Sequence, residues 1–268
     1  MHNLNLPMNI VTITSDWNKG DYYLGTLKGA LYSLSSDLRV VDITNSVPSF
    51  DVLQEIFILK STFNHFPEST IHLMGVMSEP TPESPMVIVF FKGHYFVGVN
   101  DGRFSLLFDS VPPICFEILE WEQLLASTFC AIDYFSRGVD IIINNKFESC
   151  TKASAIKKEY KALPVQNTDS IIGRVIYCDS FGNAITNIEK KMFDSIHNGR
   201  DFTIYIQGPY LKINKISSGY SSSHPGEIIA LFNSLGYLEL AVNQGNITTL
   251  ENLSTSSEVR VKFLAKVG

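Results

Sequence analysis

Two short stretches of this 268-residue chain carry side chains of the kind that hold small ligands. The first is Thr14-Ser15-Asp16-Trp17, an acid at the carboxyl end of the β-branched run Asn9-Ile10-Val11-Thr12-Ile13-Thr14. Open α/β sheets place ligands just outside the carboxyl ends of their strands. An Asp there equally suits a turn or helix cap, and residue type alone does not choose between the two. The second is Asp179-Ser180-Phe181-Gly182-Asn183-Ala184-Ile185-Thr186-Asn187-Ile188, which sets two polar side chains and an aromatic around a glycine. Gly and Asn also make the corners of an ordinary β-turn. Metal chemistry is not expected. The six histidines never fall at ligand spacing, and Cys115, Cys130, Cys150 and Cys178 contain no C-x-x-C pair. Phosphate-binding glycine loops, H-E-x-x-H and G-x-S-x-G are absent too.

The elements that must position these residues alternate at first. After the opening strand and a turn around Lys19-Gly20, apolar residues at Tyr23, Leu27, Ala30, Leu31 and Leu34 have helical spacing. Leu38–Ile43 reads as a second strand. Asp51 to His65 reads as a helix capped by Asp51, with Val52, Ile56, Leu59 and Phe63 on one face. Thr70–Val76 is a third strand, and Pro85–Phe91 with His94–Val99 a strand pair. Strands separated by helices of this length predict an α/β domain over residues 1–145, with a mainly parallel sheet and flanking helices. The lysine-rich stretch from Asn144 to Ser170 has no strong apolar period, and 146–169 reads as a partly helical linker. From 170 to 268 come short alternating runs such as Gly173–Tyr177, Phe202–Ile206, Tyr237–Val242 and Glu258–Phe263, the pattern of an all-β, barrel-like domain.

Composition narrows the function classes. Hydrophobic residues make up 45% and charged residues 18%, which excludes intrinsic disorder. Against 27 acidic residues stand 21 Lys and Arg, a formal charge of −6 with no basic stripe, so nucleic acid is not an expected partner. The longest apolar stretch, Met86–Phe91, is far short of the roughly 20 residues of a membrane-spanning helix. Met1 to Pro7 lacks the basic and apolar regions of a signal peptide. A cytoplasmic protein with reduced thiols is therefore the expectation.

Several segments gain specificity when taken in order. They are Ile13-Thr14-Ser15-Asp16-Trp17; Asp21-Tyr22-Tyr23-Leu24-Gly25-Thr26-Leu27-Lys28-Gly29; Val41-Asp42-Ile43-Thr44; Val47-Pro48-Ser49-Phe50-Asp51-Val52; Phe66-Pro67-Glu68-Ser69-Thr70-Ile71-His72; Asp179 to Ile188; and Asn233-Ser234-Leu235-Gly236-Tyr237-Leu238-Glu239-Leu240-Ala241. The series resembles T-D-F-G, D-x-Y-V-G-x-M-K-G, V-D-I-T-H, V-x-P-x-D-V, F-P-x-G-T-V-H, D-x-F-G-N-x-x-T-N-I and N-S-x-G-x-L-E-I-A. Those are the motifs of the S-adenosylmethionine (SAM) hydroxide adenosyltransferases, a family that also includes fluorinase and chlorinase enzymes. The resemblance implies an α/β domain followed by a β-barrel-like domain, and a homotrimer. It places a nucleoside between one subunit's N-terminal domain and its neighbour's C-terminal domain. The reaction it implies, SAM and water to adenosine and methionine, needs no cofactor. By the same resemblance, Asp16 would accept both ribose hydroxyls and Phe50 would stack on the nucleoside. Asp179 would pair with the methionine ammonium and Ser234 with its carboxylate, while Phe181 and Asn183 would line the adenine pocket.

The chain departs from the family where its hydrolases carry an Asp-Arg-His set for activating water. Their V-D-P-G-V-G corresponds to Val76-Met77-Ser78-Glu79-Pro80-Thr81, which has Met77 in place of the Asp, no glycines and no Arg nearby. Their F-H-G-R-D corresponds to Phe129-Cys130-Ala131-Ile132-Asp133, so Cys130 replaces the His and Ile132 the Arg. Even D-N-G becomes Asn100-Asp101-Gly102. The nearest spare carboxylates are Glu79 and Glu83, in a Pro-rich stretch of the kind that is usually solvated. Cys130 lacks the electropositive neighbours that make a thiol reactive. Two readings follow: a SAM hydrolase with altered chemistry, and a non-catalytic trimer that binds SAM or adenosine.

Overall fold

The computed structural model describes residues 10–18, 20–108, 115–119, 128–159 and 163–265. Asn9, Lys19 and Ser127, along with residues 1–7, lie outside that set. The chain forms two compact units that divide between residues 161 and 162.

The first unit is built on a seven-stranded sheet in the order β2-β1-β3-β5-β4-β6-β7. Its strands are β1 (Ile10–Thr14), β2 (Arg39–Thr44), β3 (Ile71–Met74), β4 (Met86–Phe91), β5 (His94–Val99), β6 (Cys115–Ile118) and β7 (Thr151–Ser154). β1 is buried along its whole length, as a β-branched run inside a parallel sheet should be. β2, β1, β3 and β5 run parallel. The remaining pairs are antiparallel, so the sheet is mixed, with its parallel half at the β2 end. The reason is local: β4 and β5 are joined by the two-residue Lys92-Gly93 turn, which can only reverse the chain. β7 lies within the lysine-rich stretch. It is a short, polar edge strand whose Lys152 pairs with Glu117 at 2.9 Å, and such a strand has no apolar period to read.

Helices cover both faces of this sheet. α1 (Tyr22–Leu34) buries Leu27 and Leu31 together with Tyr134, Phe135 and Val139 of α4 (Ala131–Ile143), against Val11 and Ile13 of β1. On the opposite face α2 (Val52–Thr62) packs Ile56 and Leu59 against Met74, Val87, Val89 and Phe96. Asp51 caps α2 as expected, accepting from the Gln54 amide at 3.0 Å. A short helix, α3 (Arg103–Leu107), follows β5.

The second unit is an eight-stranded, wholly antiparallel sheet. Its main path runs β12-β11-β15-β9-β10-β14-β13, with β8 (Val165–Gln166) paired to β9 (Ser170–Cys178). The other strands are β10 (Ala184–Glu189), β11 (Phe202–Ile206), β12 (Leu211–Ile213), β13 (Ile228–Phe232), β14 (Tyr237–Val242) and β15 (Glu258–Phe263). Just past β12, the Ser217 amide donates to the Ala230 carbonyl of β13 at 2.7 Å, which draws the ends of the sheet into a nearly closed barrel. β15 shows the rule plainly: Val259, Val261 and Phe263 point into the core, while Glu258, Arg260 and Lys262 face solvent.

One buried polar chain crosses the first sheet. Thr12 Oγ1 lies 2.7 Å from His72 Nδ1, and His72 Nε2 lies 3.2 Å from His94 Nδ1. Sequence spacing does not bring these histidines together; the parallel pairing of β3 with β5 does. Burial, reinforced by the neighbouring His94, pushes the His72 imidazole down to about 3. Burial lowers His94 as well. His72 thus stays neutral in the fold while an unfolded histidine takes up a proton near pH 6.5. Between those values the unfolded chain binds more protons, so stability falls as pH falls, by up to about 1.4 kcal/mol per pH unit for such a group. The His72→Phe variant should melt lower than wild type at pH 7 but lose less melting temperature between pH 7 and pH 4. Parallel melting curves over that range would contradict the assignment.

Candidate functional site

In the first unit the chain crosses from β1 to β2 on one side and from β2 to β3 on the other. The strand order therefore reverses between β1 and β3, and a crevice opens at their carboxyl ends where ligands bind in open α/β sheets. Gly75, directly after β3, makes the close approach possible. A Cβ there would stand 2.7 Å from the Ser15 Cβ. Ser15 is buried and donates to Asn45 Oδ1 at 2.8 Å, which fixes the β1 exit.

Asp16 stands half-buried at this point. Its Oδ2 accepts a 2.9 Å hydrogen bond from the backbone amide of Phe50. Phe50 is 74% exposed and has φ 67°, a left-handed conformation that costs a non-glycine residue roughly 1–2 kcal/mol. The sequence left Asp16 as either a cap or a ligand group. The fold shows it anchoring the loop that carries Phe50, and brings these two predicted site residues into direct contact.

On the far side of the crevice, directly after Val76, Met77 is also left-handed, with φ 45°, and is 53% exposed. Below it lies a charge cluster that sequence reasoning missed. Arg103 Nη1 donates to Glu55 Oε2 at 3.0 Å and to the Val76 carbonyl at 2.9 Å. Its Nη2 donates to Asp101 Oδ2 at 2.8 Å and to the Met77 carbonyl at 3.3 Å. Glu55 Oε1 accepts from the Val76 amide at 2.9 Å. The side chains of Arg103 and Glu55 are both fully buried. Burial pushes the Glu55 carboxyl up, to about 8, against the pull of the Arg103 guanidinium and the Val76 amide. The nearby charges of Asp101 and, less so, Asp16 add to the upward push. No Arg stands near Met77 in the sequence, but the fold brings Arg103 to it from 26 positions away through the end of β5. It points inward, however, and grips main-chain carbonyls. The one signal available was Glu55, a charge among the apolar residues of α2.

Cys130 is buried at the start of α4, a place where a thiol is often acidified. Here burial first, then the negative charge of Glu79, pushes the thiol up instead. Phe129 beside it packs edge-on against Trp17 at 5.0 Å and Tyr23 at 4.6 Å. The fold therefore gathers the Asp16-Trp17, Met77–Glu79 and Phe129–Cys130 segments at one end of the sheet. Glu79 and Glu83 are exposed, and Ile132 is half-buried on α4.

In the second unit Asp179 organises its own loop. Its Oδ1 accepts from the amides of Phe181 and Asn183, each at 2.9 Å, and its Oδ2 from the Asn183 side chain at 2.9 Å. Gly182 has φ +80°, and a Cβ there would collide with the Asn246 side chain at 2.1 Å, so this corner of the motif admits only glycine. Phe181 stands 77% exposed. Asn183 also donates to the Tyr220 hydroxyl at 3.3 Å. Tyr220 in turn donates to Glu239, and Asn233 donates to the other Glu239 oxygen at 3.1 Å. A polar row thus links Asp179 to Asn233, the neighbour of the exposed Ser234. Tyr220 is the member of the row that no motif revealed.

The two units match two sequence profiles in turn. The SAM hydroxide adenosyltransferase N-terminal domain covers residues 11–149, and the C-terminal domain of the same name covers 173–260. The chain belongs to the SAM hydroxide adenosyltransferase family. Among its relatives, the (R)-S-adenosyl-L-methionine hydrolase of Methanocaldococcus jannaschii is 25% identical, with 96% of this chain and 97% of that protein aligned. The protein of the same name from Thermus thermophilus is 22% identical, over 95% of this chain and all of the relative. The crystal structure of an uncharacterized conserved protein from Thermotoga maritima superposes with a TM-score of 0.82 at 22% identity, covering 94% of this chain and 99% of the other. That of a conserved hypothetical protein from Thermus thermophilus gives 0.73 at 20%, covering 96% and 100%. Among the described residues, no helix is long and apolar enough to cross a membrane.

The Cys130 environment has a measurable consequence. In native protein at pH 7.5, iodoacetamide should leave Cys130 almost untouched over a time that alkylates it fully in denaturant, as peptide mass mapping would show. Rapid native alkylation at that pH would mean an activated thiol, contrary to its burial beside Glu79.

Proposed function

We propose that this family member binds SAM and adenosine at the carboxyl end of its parallel strands and carries out the family hydrolysis of SAM to adenosine and methionine at low rate. The observation that carries the reading is Asp16, a carboxylate held at the β1–β3 reversal inside a chain that matches both family domains. Its oxygens suit the two ribose hydroxyls, and the Phe50 ring beside it suits a stacked nucleoside. Asp179 takes the methionine ammonium, Ser234 the methionine carboxylate, and Phe181 with Asn183 the adenine. The protein assembles as a cytoplasmic homotrimer in which one copy's Asp16 face meets a neighbour's Asp179 face, and it uses no cofactor.

Low rate follows from the chemistry of displacement at C5′. Water must be held in line with the departing sulfonium and relieved of a proton. Met77 offers no base, and a buried, protonated Cys130 offers none in place of His. A single general base is worth about 10²–10⁴ in rate, and groups acting as a unit do not add, so most of the loss comes with the first. The same two residues favour the second reading, a non-catalytic SAM or adenosine binder, should turnover prove nil.

Calorimetry with SAM and with adenosine, followed by product analysis of the same samples, tests the proposal. Wild-type protein should bind both and release adenosine and methionine far more slowly than a hydrolase relative. Failure to bind either nucleoside would end the reading. Asp16→Asn retains an acceptor for the Phe50 amide but loses the charge, and should weaken both ligands by about 2 kcal/mol. Asp179→Asn should weaken SAM while leaving adenosine nearly unchanged, since only SAM carries an ammonium; equal effects on both would contradict the role. Light scattering should report three times the 30.0 kDa chain mass, and a stable monomer would remove the shared site.

A further inference from the structure

We infer that Arg103, locked between Glu55 and Asp101, is a positioning residue that sets the Val76–Met77 bend at the edge of the nucleoside crevice. The inference rests on the nucleoside reading for its consequence, though the clamp itself is visible in the geometry.

Three features separate this cluster from an ordinary buried ion pair. First, it holds both polar ends of one residue. The Val76 amide donates to Glu55 Oε1 at 2.9 Å, and the Val76 carbonyl accepts from Arg103 Nη1 at 2.9 Å. The next carbonyl, that of Met77, accepts from Arg103 Nη2 at 3.3 Å. Second, the bend it grips is strained. Met77 sits at φ 45°, a region an unbranched L-residue occupies only when its surroundings over-determine it. Third, the arginine is anchored in two directions. Asp101 takes Arg103 Nε on Oδ1 at 2.9 Å and Nη2 on Oδ2 at 2.8 Å, a bidentate fork that fixes the guanidinium plane. With its side chain wholly buried, Arg103 cannot touch a ligand. Its effect must pass through the loop.

That loop ends in exposed Met77, across the β1–β3 crevice from Asp16. Asp16 holds the other wall by the same device, accepting from the amide of left-handed, exposed Phe50. Two apolar side chains are thus presented on strained loops, each tied down by a charged group at the carboxyl end of one sheet. A lysine at 103 would keep a charge facing Glu55 but could not serve two carbonyls and a carboxylate in one plane. The Met77 wall should then relax while the Asp16–Phe50 wall stays in place.

The test uses the full-length chain with Arg103→Lys and, because a buried pair is sensitive to change, Asp101→Asn as a second variant; the Asp101 side chain is 29% exposed and tolerates replacement better. Hydrogen-exchange mass spectrometry reads the clamp directly. Peptides covering 75–79 should exchange about ten- to a hundredfold faster in Arg103→Lys, and less so in Asp101→Asn, with β1 and β3 protection unchanged. Calorimetry reads the consequence. SAM, whose sulfonium arm extends beyond the ribose, should lose about tenfold in affinity while adenosine changes by less than about twofold. If protection at 75–79 is unaltered in both variants, or if SAM and adenosine weaken by the same factor, Arg103 is structural only and the inference is overturned. If Arg103→Lys unfolds, Asp101→Asn decides by the same local pattern. Should the wild-type chain bind neither nucleoside, the functional reading fails by itself, and the exchange data still decide whether the clamp exists.

Discussion

A hydrogen-bonded pair wholly removed from water, Arg103 and Glu55, ties together three parts of the first unit that are distant in sequence. Glu55 comes from α2 on one face of the sheet, Arg103 from the turn after β5, and the main chain they share from the exit of β3. Taking either partner away strands buried polar groups of the other, a loss of about 1–3 kcal/mol for each group left without a partner. The pair is therefore weak evidence of net stability but strong evidence of fixed geometry. It can exist only if α2 is docked, β3 has ended and β5 has turned, and once formed it dictates the course of the chain beside Asp16.

The second unit solves a related problem with neutral donors. Asp179 is a ligand group by resemblance, yet the fold also employs it to organise its own turn through the Phe181 and Asn183 amides. The two roles are compatible. A carboxylate can accept more bonds than the loop requires, and a preorganised acceptor loses less freedom on binding than a floppy one. Tyr220 and buried Glu239 extend the arrangement towards Asn233, so that the loop before β10 and the hairpin between β13 and β14 share one hydrogen-bonded row.

The departures from the motifs that the sequence resembles lie at the carboxyl end of the first sheet. The residues proposed for sugar, base and amino acid match the family motifs by type, whereas the positions proposed to handle a proton carry a thioether, a buried thiol and an isoleucine. Burial and the charge of Glu79 make Cys130 less acidic than a free thiol, the opposite of what proton abstraction or nucleophilic attack requires. The arginine near Met77 does not compensate, because its donors are committed to carbonyls and carboxylates below the surface.

Sequence alone determined the two-domain plan, the alternation that places β15 side chains in or out, the Asp51 cap, and through ordered motifs the family. These are local properties: a period of 2 or 3.6, or a turn residue at a set offset, is written in neighbouring letters. Asp16 and Asp179 were legible as candidates for the same reason, since each ends a strand before a turn. The Arg103–Glu55–Asp101 cluster, the His72–His94 pair and the Tyr220–Glu239 link were decided only by tertiary structure. Each joins residues on different strands, helices or turns, and no pattern of spacing announces which charge will be buried opposite which. Beyond the β4–β5 hairpin, the antiparallel pairing of β4 with β6 and of β6 with β7 belongs to the same class. The strength of an edge strand such as β7 lies in main-chain pairing with β6, and main-chain pairing leaves almost no trace in side-chain type.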